Sequence, residues 1–399
     1  MSFNYSERMN HISGSATREI LKLTADPTII SFAGGLPAAD CLPFDKVGEI
    51  SDELLRGGRA EKILQYGITQ GLPSAREAMI EYVKKAGVKN ITLEQSIVLS
   101  GGQQGIDLMC KVFLSKGDTL LVENPTYLAV LPIAAAYEAN VVGVNSGEDG
   151  LDIQDLEAKI NEYKPKLLYV VPTFSNPTGR TYSLRNRIAI ACLTAKHKLP
   201  VLEDDPYSKL RFEGEYVPAL KSVDVGDNVV YLTSFSKIVS PGLRVAVAVG
   251  NKEIISKLEI TKQGADVHTS HLSQAIVEEY LRAGYIDKQL KKITPIYKAK
   301  KDCMISAINK YMPEEFKYSE PQGGLFIWGA LNADIDTEKL FPEAIARKVA
   351  YVYGNVFFAD DSGHNTLRLN FSNATPERID IGMHALGDLL KEKIKGDAR

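Results

Sequence analysis

A lysine in a hydroxyl-rich turn has the surroundings in this chain that point most directly to chemistry. The turn is Thr233-Ser234-Phe235-Ser236-Lys237; it follows an apolar run, residues 229–232, and Arg244 comes seven residues after the lysine. Desolvation and a nearby cation lower the pKa of a lysine amine, which can then form a Schiff base with an aldehyde. Hydroxyls and an arginine can bind a phosphate group. The pattern predicts a pyridoxal phosphate site, with Lys237 on the aldehyde and Ser234, Ser236 and Arg244 around the phosphate. The alternative is a solvated surface lysine.

Two further polar clusters also follow apolar runs. Asp204-Asp205-Pro206-Tyr207 comes after residues 201–203, and Ser175-Asn176-Pro177-Thr178-Gly179 comes after residues 168–171. A carboxylate at a strand end can pair with a protonated pyridine nitrogen and keep it cationic, and this is the role predicted for Asp204. Tyr207 could reach the phenolic oxygen of the cofactor, and Asn176 could donate a hydrogen bond to a ligand oxygen. A solvated acid pair and ordinary turn chemistry are the respective alternatives.

A glycine pair and a tyrosine are weaker signals. Ser100-Gly101-Gly102-Gln103 joins a predicted strand to a predicted helix, where free N–H groups and the helix dipole can bind a phosphate. Tyr127 follows the strand that ends at Val122, and its ring could stack on a planar heterocycle. Alone, each would be read as a tight turn or as a tyrosine packed at a domain rim.

Arg368 lies inside a short apolar run, Thr366-Leu367-Arg368-Leu369. A buried arginine needs an anionic partner. A substrate carboxylate gripped by two N–H groups would satisfy it, and an internal salt bridge would satisfy it equally well. The sequence leaves both possibilities open.

Short apolar runs alternate with helical patterns through the middle of the chain, which predicts an α/β fold with a largely parallel sheet covered by helices. The last third instead predicts a long helical region, 272–311, short strands and a final helix, which together indicate a smaller α+β domain. We expect a large domain over residues 45–290 and a small domain over residues 1–44 and 291–399. The predicted strands of the sheet are Ser96–Ser100, Thr119–Val122, Asn140–Val144, Lys166–Val171, Leu199–Glu203, Val229–Thr233 and Arg244–Val249.

Bulk properties exclude several classes of function. The 399 residues carry a formal net charge of -3, which provides no basic surface for nucleic acid or an anionic membrane. No apolar run reaches the roughly 20 residues of a membrane span, and no signal peptide pattern opens the chain. Four widely spaced cysteines without a CxxC pair indicate reduced thiols and a cytoplasmic protein. No metal site is predicted, because no set of ligands has suitable spacing.

Taken in order, these motifs resemble the fold-type I pyridoxal phosphate aminotransferases, and within them the branch of 2-aminoadipate aminotransferase, kynurenine aminotransferase II and the aminotransferase-like domain of MocR regulators. The likeness runs from Ala33-Gly34-Gly35 to Arg368. It implies a mixed seven-stranded sheet. It also implies that Lys237 carries the cofactor and transfers the proton. Asp204, Tyr207 and Asn176 would bind the ring, Tyr127 would stack on it, and Gly102, Gln103, Ser234, Ser236 and Arg244 would surround the phosphate. Arg368, with Gly35 and Asn176, would hold the substrate α-carboxylate.

The same resemblance implies a homodimer in which Tyr66 reaches the phosphate in the neighbouring subunit. Arg18, in the helical pattern 15–23, matches an arginine that meets the distal carboxylate of acidic substrates, although a solvated arginine is the alternative. The implied reaction is a ping-pong transfer of an amino group to 2-oxoglutarate from an aromatic, aliphatic or 2-aminoadipate-like amino acid. A β-lyase or decarboxylase using the same cofactor, and a non-catalytic MocR-like effector domain, remain the alternatives.

Overall fold

The computed structural model describes residues 3–10, 12, 26–331 and 335–397. The predicted helical pattern 15–23, with Arg18, lies outside these residues. In the described part of the chain, no helix has the length and apolar character that crossing a bilayer requires.

The large sheet contains eight strands in the order β2-β9-β8-β7-β6-β3-β4-β5. Strands β3, β4, β6, β7 and β8 run parallel, whereas β9 is antiparallel to both neighbours and β5 is antiparallel to β4. The predicted α/β fold with a mixed, mostly parallel sheet is therefore confirmed. The sheet has one strand more than the seven predicted, the two-residue β5. The bounds are Ser96–Leu99 (β2), Thr119–Asn124 (β3), Asn140–Gly147 (β4), Gly150–Leu151 (β5), Leu167–Val170 (β6), Val201–Asp205 (β7), Val229–Ser234 (β8) and Ala246–Val249 (β9).

Helices cover the sheet, and six of its strands are buried along their whole length. Such burial on both faces explains why strands such as β6 and β9 are continuous apolar runs rather than alternating patterns. The helices of this part are Phe44–Arg56 (α1), Ala60–Leu64 (α2), Pro73–Lys84 (α3), Gly102–Phe113 (α4), Val130–Ala136 (α5), Ile153–Tyr163 (α6), Leu184–Lys196 (α7), Lys252–Gln263 (α8) and His271–Arg282 (α9).

A smaller antiparallel sheet of order β10-β11-β14-β13 follows, as the sequence predicted for the last third of the chain. The long helical region is divided at Gly284, whose φ of +68° breaks the helix. Strand β1, Ile30–Ser31, pairs in parallel with β12, Val349–Ala350. The remaining elements are Tyr285–Tyr311 (α10), Phe316–Tyr318 (β10), Phe326–Leu331 (β11), Thr337–Ala346 (α11), Val352–Tyr353 (β13), Thr366–Asn370 (β14) and Pro376–Asp397 (α12).

Strand direction brings distant motifs to one edge of the large sheet. The parallel strands β6, β7 and β8 end there, at Val170, Asp205 and Ser234. Because β9 is antiparallel to β8 and pairs Ala246 with Ser234, the residues that precede β9 lie at the same edge. Strand β2 is in turn antiparallel to β9 and pairs Leu99 with Ala246, so the glycine turn that follows β2 also meets them. This edge is where open α/β sheets bind ligands.

Candidate active site

A cavity of about 590 Å³ opens at this edge, between the large sheet and the small one. Twelve of the fourteen predicted site residues line it: Gly35, Gly102, Gln103, Tyr127, Asn176, Asp204, Tyr207, Ser234, Ser236, Lys237, Arg244 and Arg368. Arg18 lies outside the described residues. Tyr66 does not line the cavity; its side chain is 82% exposed, and its ring packs edge-on against His268 with centroids 6.0 Å apart.

Lys237 projects into the cavity from a short 3-10 turn, Phe235–Lys237, which continues β8. The Ser234 hydroxyl caps this turn by accepting the Ser236 N–H at 3.2 Å, and it donates to the Ser236 hydroxyl at 2.9 Å. The Lys237 amine donates to the Gly35 carbonyl at 2.7 Å. Burial, and then the positive charges of Arg368 and Arg244, lower the pKa of Lys237 to about 8. About a tenth of this amine is therefore neutral, and nucleophilic, at pH 7, a far larger fraction than for an ordinary lysine.

Asp204 is buried at the end of β7, where Tyr169 of β6 donates a hydrogen bond to its Oδ2 at 2.8 Å. Burial raises the pKa of Asp204 to about 7, against the opposing effect of the Tyr169 hydroxyl. A cation placed beside this carboxylate would reverse the shift. The other two acids of the strand have full sets of partners: Glu203 accepts the Leu220 and Lys221 N–H groups, and Asp205 accepts from Tyr231 and Ser208. Asp204 is thus the acid of β7 that remains available to a ligand.

Arg368 is carried by β14 and is 2% exposed. Its guanidinium donates to Asn176 Oδ1 at 2.8 Å and to the Ala33 carbonyl at 2.5 Å, and lies over the Phe326 ring at 4.3 Å. The Nε atom has no hydrogen-bond partner. Among the described residues, no carboxylate lies within salt-bridge distance of Arg368, and burial lowers its pKa to about 10. The predicted alternative of an internal salt bridge therefore has no support in this part of the chain, and the cavity contains a cation that lacks an anion.

The glycine turn after β2 forms a cradle beside Arg244. Gly101 has φ +89° and precedes the first residue of α4, Gly102. A Cβ atom on Gly101 would lie 2.2 Å from Nη2 of Arg244, so only glycine allows this approach. Free N–H groups at the start of α4 and an arginine that is exposed toward the cavity together suit a phosphate. The Lys237 amine, the available Asp204 carboxylate and this cradle fit the aldehyde, the ring nitrogen and the phosphate of pyridoxal phosphate, respectively. Arg368 is then available to a further anion, such as a substrate carboxylate.

Comparison with known proteins identifies the family. The sequence profile described as aminotransferase class I and II matches residues 39–386. This chain belongs to that family. The aminotransferase is 38% identical to the aromatic-amino-acid aminotransferase 1 of Thermococcus litoralis, over 98% of this chain and 95% of the relative. It is 37% identical to the 2-aminoadipate transaminase of Thermus thermophilus, over 97% of this chain and 96% of the relative.

Among solved structures, the aminotransferase is similar to the kynurenine aminotransferase of Pyrococcus horikoshii, which was determined with PMP, with KYN as substrate and KYA as product. The TM-score is 0.93 with 37% identity, over 98% of this chain and 97% of that one. The resemblance stated from the sequence motifs is confirmed at the level of the family, its fold and the enzyme class.

Sequence reasoning missed the side chains that support the site from behind. Tyr169, which donates to Asp204, reads as one more apolar residue of a buried strand. Phe326, which lies under Arg368 and edge-on to Tyr207 with ring centroids 5.8 Å apart, also reads as core. For Tyr169, the signal in the sequence is a hydroxyl-bearing residue within an apolar run. Periodicity alone does not distinguish it from its apolar neighbours.

Proposed function

We propose that this aminotransferase moves an amino group from an aromatic, aliphatic or 2-aminoadipate-like amino acid to 2-oxoglutarate in a ping-pong reaction, with pyridoxal phosphate as its cofactor. The observation that carries the proposal is the convergence of Lys237, Asp204 and Arg368 in one cavity. None of the three has an ionic partner among the described residues, and each matches one group of the cofactor or substrate. When bound, pyridoxal phosphate supplies an aldehyde that condenses with amines and a ring that withdraws electrons from the bonds next to the attached nitrogen.

Residues of this chain have separate tasks toward that group. Lys237 forms the covalent link through its neutral amine, which its lowered pKa favours. Asp204 holds a positive charge on the ring nitrogen, because the carboxylate stabilises an adjacent cation. The remaining contacts bind and orient: Tyr127 stacks on the ring, Asn176 and Tyr207 bind its phenolic oxygen, and Gly102, Gln103, Ser234, Ser236 and Arg244 bind the phosphate.

Arg368 binds the α-carboxylate of the substrate, assisted by Asn176 and Gly35. Its hydrogen bonds to Asn176 and Ala33 fix the plane of the guanidinium, and Nη1 and Nη2 each keep a second N–H for a ligand. A carboxylate held in this way places the substrate Cα at a defined position in the cavity. The Lys237 amine would accept the proton of Cα as a general base.

The amino acceptor and the breadth of donors depend on Arg18 in this proposal. An arginine that meets the distal carboxylate of 2-oxoglutarate, and moves away for apolar substrates, would let one site accept both. The test is a panel of acidic and apolar donors on the wild type and on Arg18→Ala. A loss of activity in Arg18→Ala that is restricted to the acidic substrates supports this role of Arg18. Equal rates for the wild type and Arg18→Ala with all donors contradict it.

We also propose a cytoplasmic homodimer in which Tyr66 reaches the phosphate of the other subunit. Tyr66 is exposed together with Leu64 and Ile68, which are 66% and 50% exposed, and an apolar cluster of this kind is typical of an interface. All four cysteines are free, as in a reducing compartment. The division into residues 45–290 and residues 1–44 with 291–399 is part of the same proposal, supported by the pairing of β1 with β12.

The decisive experiment is borohydride reduction of the purified protein followed by peptide mapping. A label on Lys237, with an absorption band that shifts on adding an amino acid and returns on adding a 2-oxo acid, is the expected result. A label elsewhere, or none, refutes the proposal. Pyruvate and ammonia released from a cysteine conjugate would instead indicate a β-lyase, and a spectral change without turnover would indicate an effector-binding domain.

A further inference from the structure

A network of polar side chains around one buried lysine lies beside the glycine turn. Lys262 of α8 is 0% exposed, and its amine donates to both Asp266 oxygens at 2.6 and 2.8 Å and to Gln104 Oε1 at 2.9 Å. Asp266, which is half-buried, in turn accepts from the Ser100 hydroxyl at 2.6 Å and from Gln104 Nε2 at 2.8 Å. Lys262, Asp266, Gln104 and Ser100 therefore form one network, which Thr269 joins through the Ser100 hydroxyl at 3.0 Å, and none of them lines the cavity.

The network holds the turn at its first residue. Gln104 Oε1 also accepts the backbone N–H of Ser100 at 2.8 Å. This contact fixes the residue before the N-cap, whereas Gly101 provides no side-chain cap for the N–H groups of the first turn of α4. From the other side, Arg244 Nη2 donates to the Ser100 carbonyl at 3.4 Å. The Ser100 peptide is thus bound on both sides, and the position of Gly101 and Gly102 depends on it.

The backbone that presents Asp266 is strained. The His268 N–H donates to the Asp266 carbonyl at 2.7 Å across Val267, whose φ is +62°. A β-branched residue is a marked outlier in this conformation, and such strain costs on the order of 1–3 kcal/mol. Strained residues persist where the surrounding contacts require them. Here the strained residue directly follows Asp266, whose side chain contacts Lys262, Ser100 and Gln104.

We propose that Lys262 and Asp266 are positioning residues that fix the phosphate-binding turn and so set the affinity for the phosphate of the cofactor. This inference rests on the proposed function, because it assumes that the turn binds that phosphate. A buried ion pair contributes little net stability compared with apolar residues of the same volume. Its contribution is then geometric, since it holds the Gln104 and Ser100 side chains in the one arrangement that keeps the turn open.

The test compares pyridoxal phosphate with pyridoxal, which lacks the phosphate, as ligands of the full-length protein after its cofactor has been removed. We expect Lys262→Met to raise the Kd for pyridoxal phosphate about ten- to hundredfold, the range seen when groups that orient a ligand-binding side chain are removed. The Kd for pyridoxal should stay unchanged. A loss of overall stability would weaken the binding of both ligands alike and would not change the ratio of their Kd values.

Lys301→Met is the matched control, because Lys301 is also buried and ion-paired, to Asp302 at 3.0 Å and Glu213 at 3.4 Å, but does not border the turn. It should lower the melting temperature without changing the ratio of the two dissociation constants. Asp266→Asn, which keeps the shape and removes the charge, replaces Lys262→Met if that variant does not fold. The inference is overturned if Lys262→Met raises the Kd for both ligands by the same factor, or if it leaves the Kd for pyridoxal phosphate unchanged. A wild type that fails to bind pyridoxal phosphate at Lys237 refutes the proposed function itself.

Discussion

Replacing Arg368 by methionine should separate catalysis from stability. The substrate loses charge-assisted hydrogen bonds to its carboxylate, each contributing about 1.5–3 kcal/mol, so two of them amount to about 3–6 kcal/mol. At about 1.4 kcal/mol for each factor of ten, kcat/KM for an amino acid should fall about 10²- to 10⁴-fold. Methionine keeps much of the apolar volume, so the contacts with Phe326 are partly preserved.

The same change should lower the free energy of unfolding only modestly. Burial lowers the pKa of Arg368 from 12.5 to about 10, so this charge destabilises the substrate-free fold by about 3 kcal/mol, and removing the arginine relieves that penalty. The change also removes the hydrogen bonds to Asn176 and to the Ala33 carbonyl, which at about 1.5–3 kcal/mol each contribute about 3–6 kcal/mol together. The two effects oppose each other, so the net loss of unfolding free energy should not exceed about 3 kcal/mol.

The assay is the single-turnover reaction of the cofactor-loaded enzyme with L-phenylalanine and with 2-phenylethylamine, which lacks the carboxylate. Arg368→Met should slow the first reaction but not the second, because losing the Arg368 charge raises the basicity of Lys237 and removes no contact with the amine, so the preference for the amino acid collapses. Arg187→Met is the control. Arg187 is equally buried but is paired with Glu203 at 3.8 Å, so its loss should destabilise the fold by about 3–5 kcal/mol without changing the preference. If Arg368→Met slows both substrates by the same factor, Arg368 does not bind the carboxylate.

Three further outcomes follow from the geometry. Gly101→Ala should weaken the binding of pyridoxal phosphate, because its Cβ would displace Arg244. The control Gly117→Ala, at φ +83° with no atom nearby, should lose only about 1 kcal/mol of stability through backbone strain. An equal loss of affinity in both variants would refute the role of Gly101. The rate at which the cofactor-free enzyme attaches pyridoxal phosphate should rise about tenfold per pH unit and level off near the Lys237 pKa of about 8; a rise continuing to about pH 10, measured by stopped flow, would contradict the lowered pKa. Burial raises the pKa of Glu123 from 4.5 to about 7, so the folded state keeps the proton and the free energy of unfolding should fall as pH rises from 4.5 to about 7. In urea unfolding, Glu123→Gln should remove about 3 kcal/mol of this fall, and an unchanged pH profile would show that Glu123 is not its source.

The sequence predicted the strands and the residues at their ends because both signals are local. A buried parallel strand is a continuous apolar run, and a polar cluster directly after it must lie at the ligand-binding edge. Asp204, Asn176 and Lys237 were found in this way. The two-residue strand β5 was missed because Gly150–Leu151 is too short to carry any pattern. The break in the long helical region depends on Gly284, and one glycine within a helical pattern does not by itself predict an end.

The groups behind the site could not be predicted, because their roles depend on contacts across the sheet. Lys262 and Asp266 are four residues apart, a spacing that in sequence indicates a solvated ion pair on a helix surface. Only the packing of α8 against α4 shows that Lys262 is buried and reaches Gln104. Tyr169 is similar, since its hydroxyl has a function only because β6 lies beside β7. Long-range pairing of this kind leaves no local trace in a single sequence.

Arg368 and Lys237, which have no ionic partner among the residues that the structure describes, make substrate binding and proton transfer interdependent. Arg368 is the second cause, after burial, of the lowered pKa of Lys237. A substrate carboxylate bound to Arg368 neutralises that positive charge and therefore raises the pKa of Lys237. Before substrate arrives, the lowered pKa increases the fraction of the amine that is neutral and nucleophilic. With substrate bound, the same amine becomes a stronger base, at the stage when a proton has to leave Cα. A substrate without a carboxylate makes no hydrogen bonds to Arg368 and does not raise the basicity of Lys237. The ratio of kcat/KM for an amino acid to kcat/KM for the corresponding amine should therefore exceed the value expected from the lost hydrogen bonds alone.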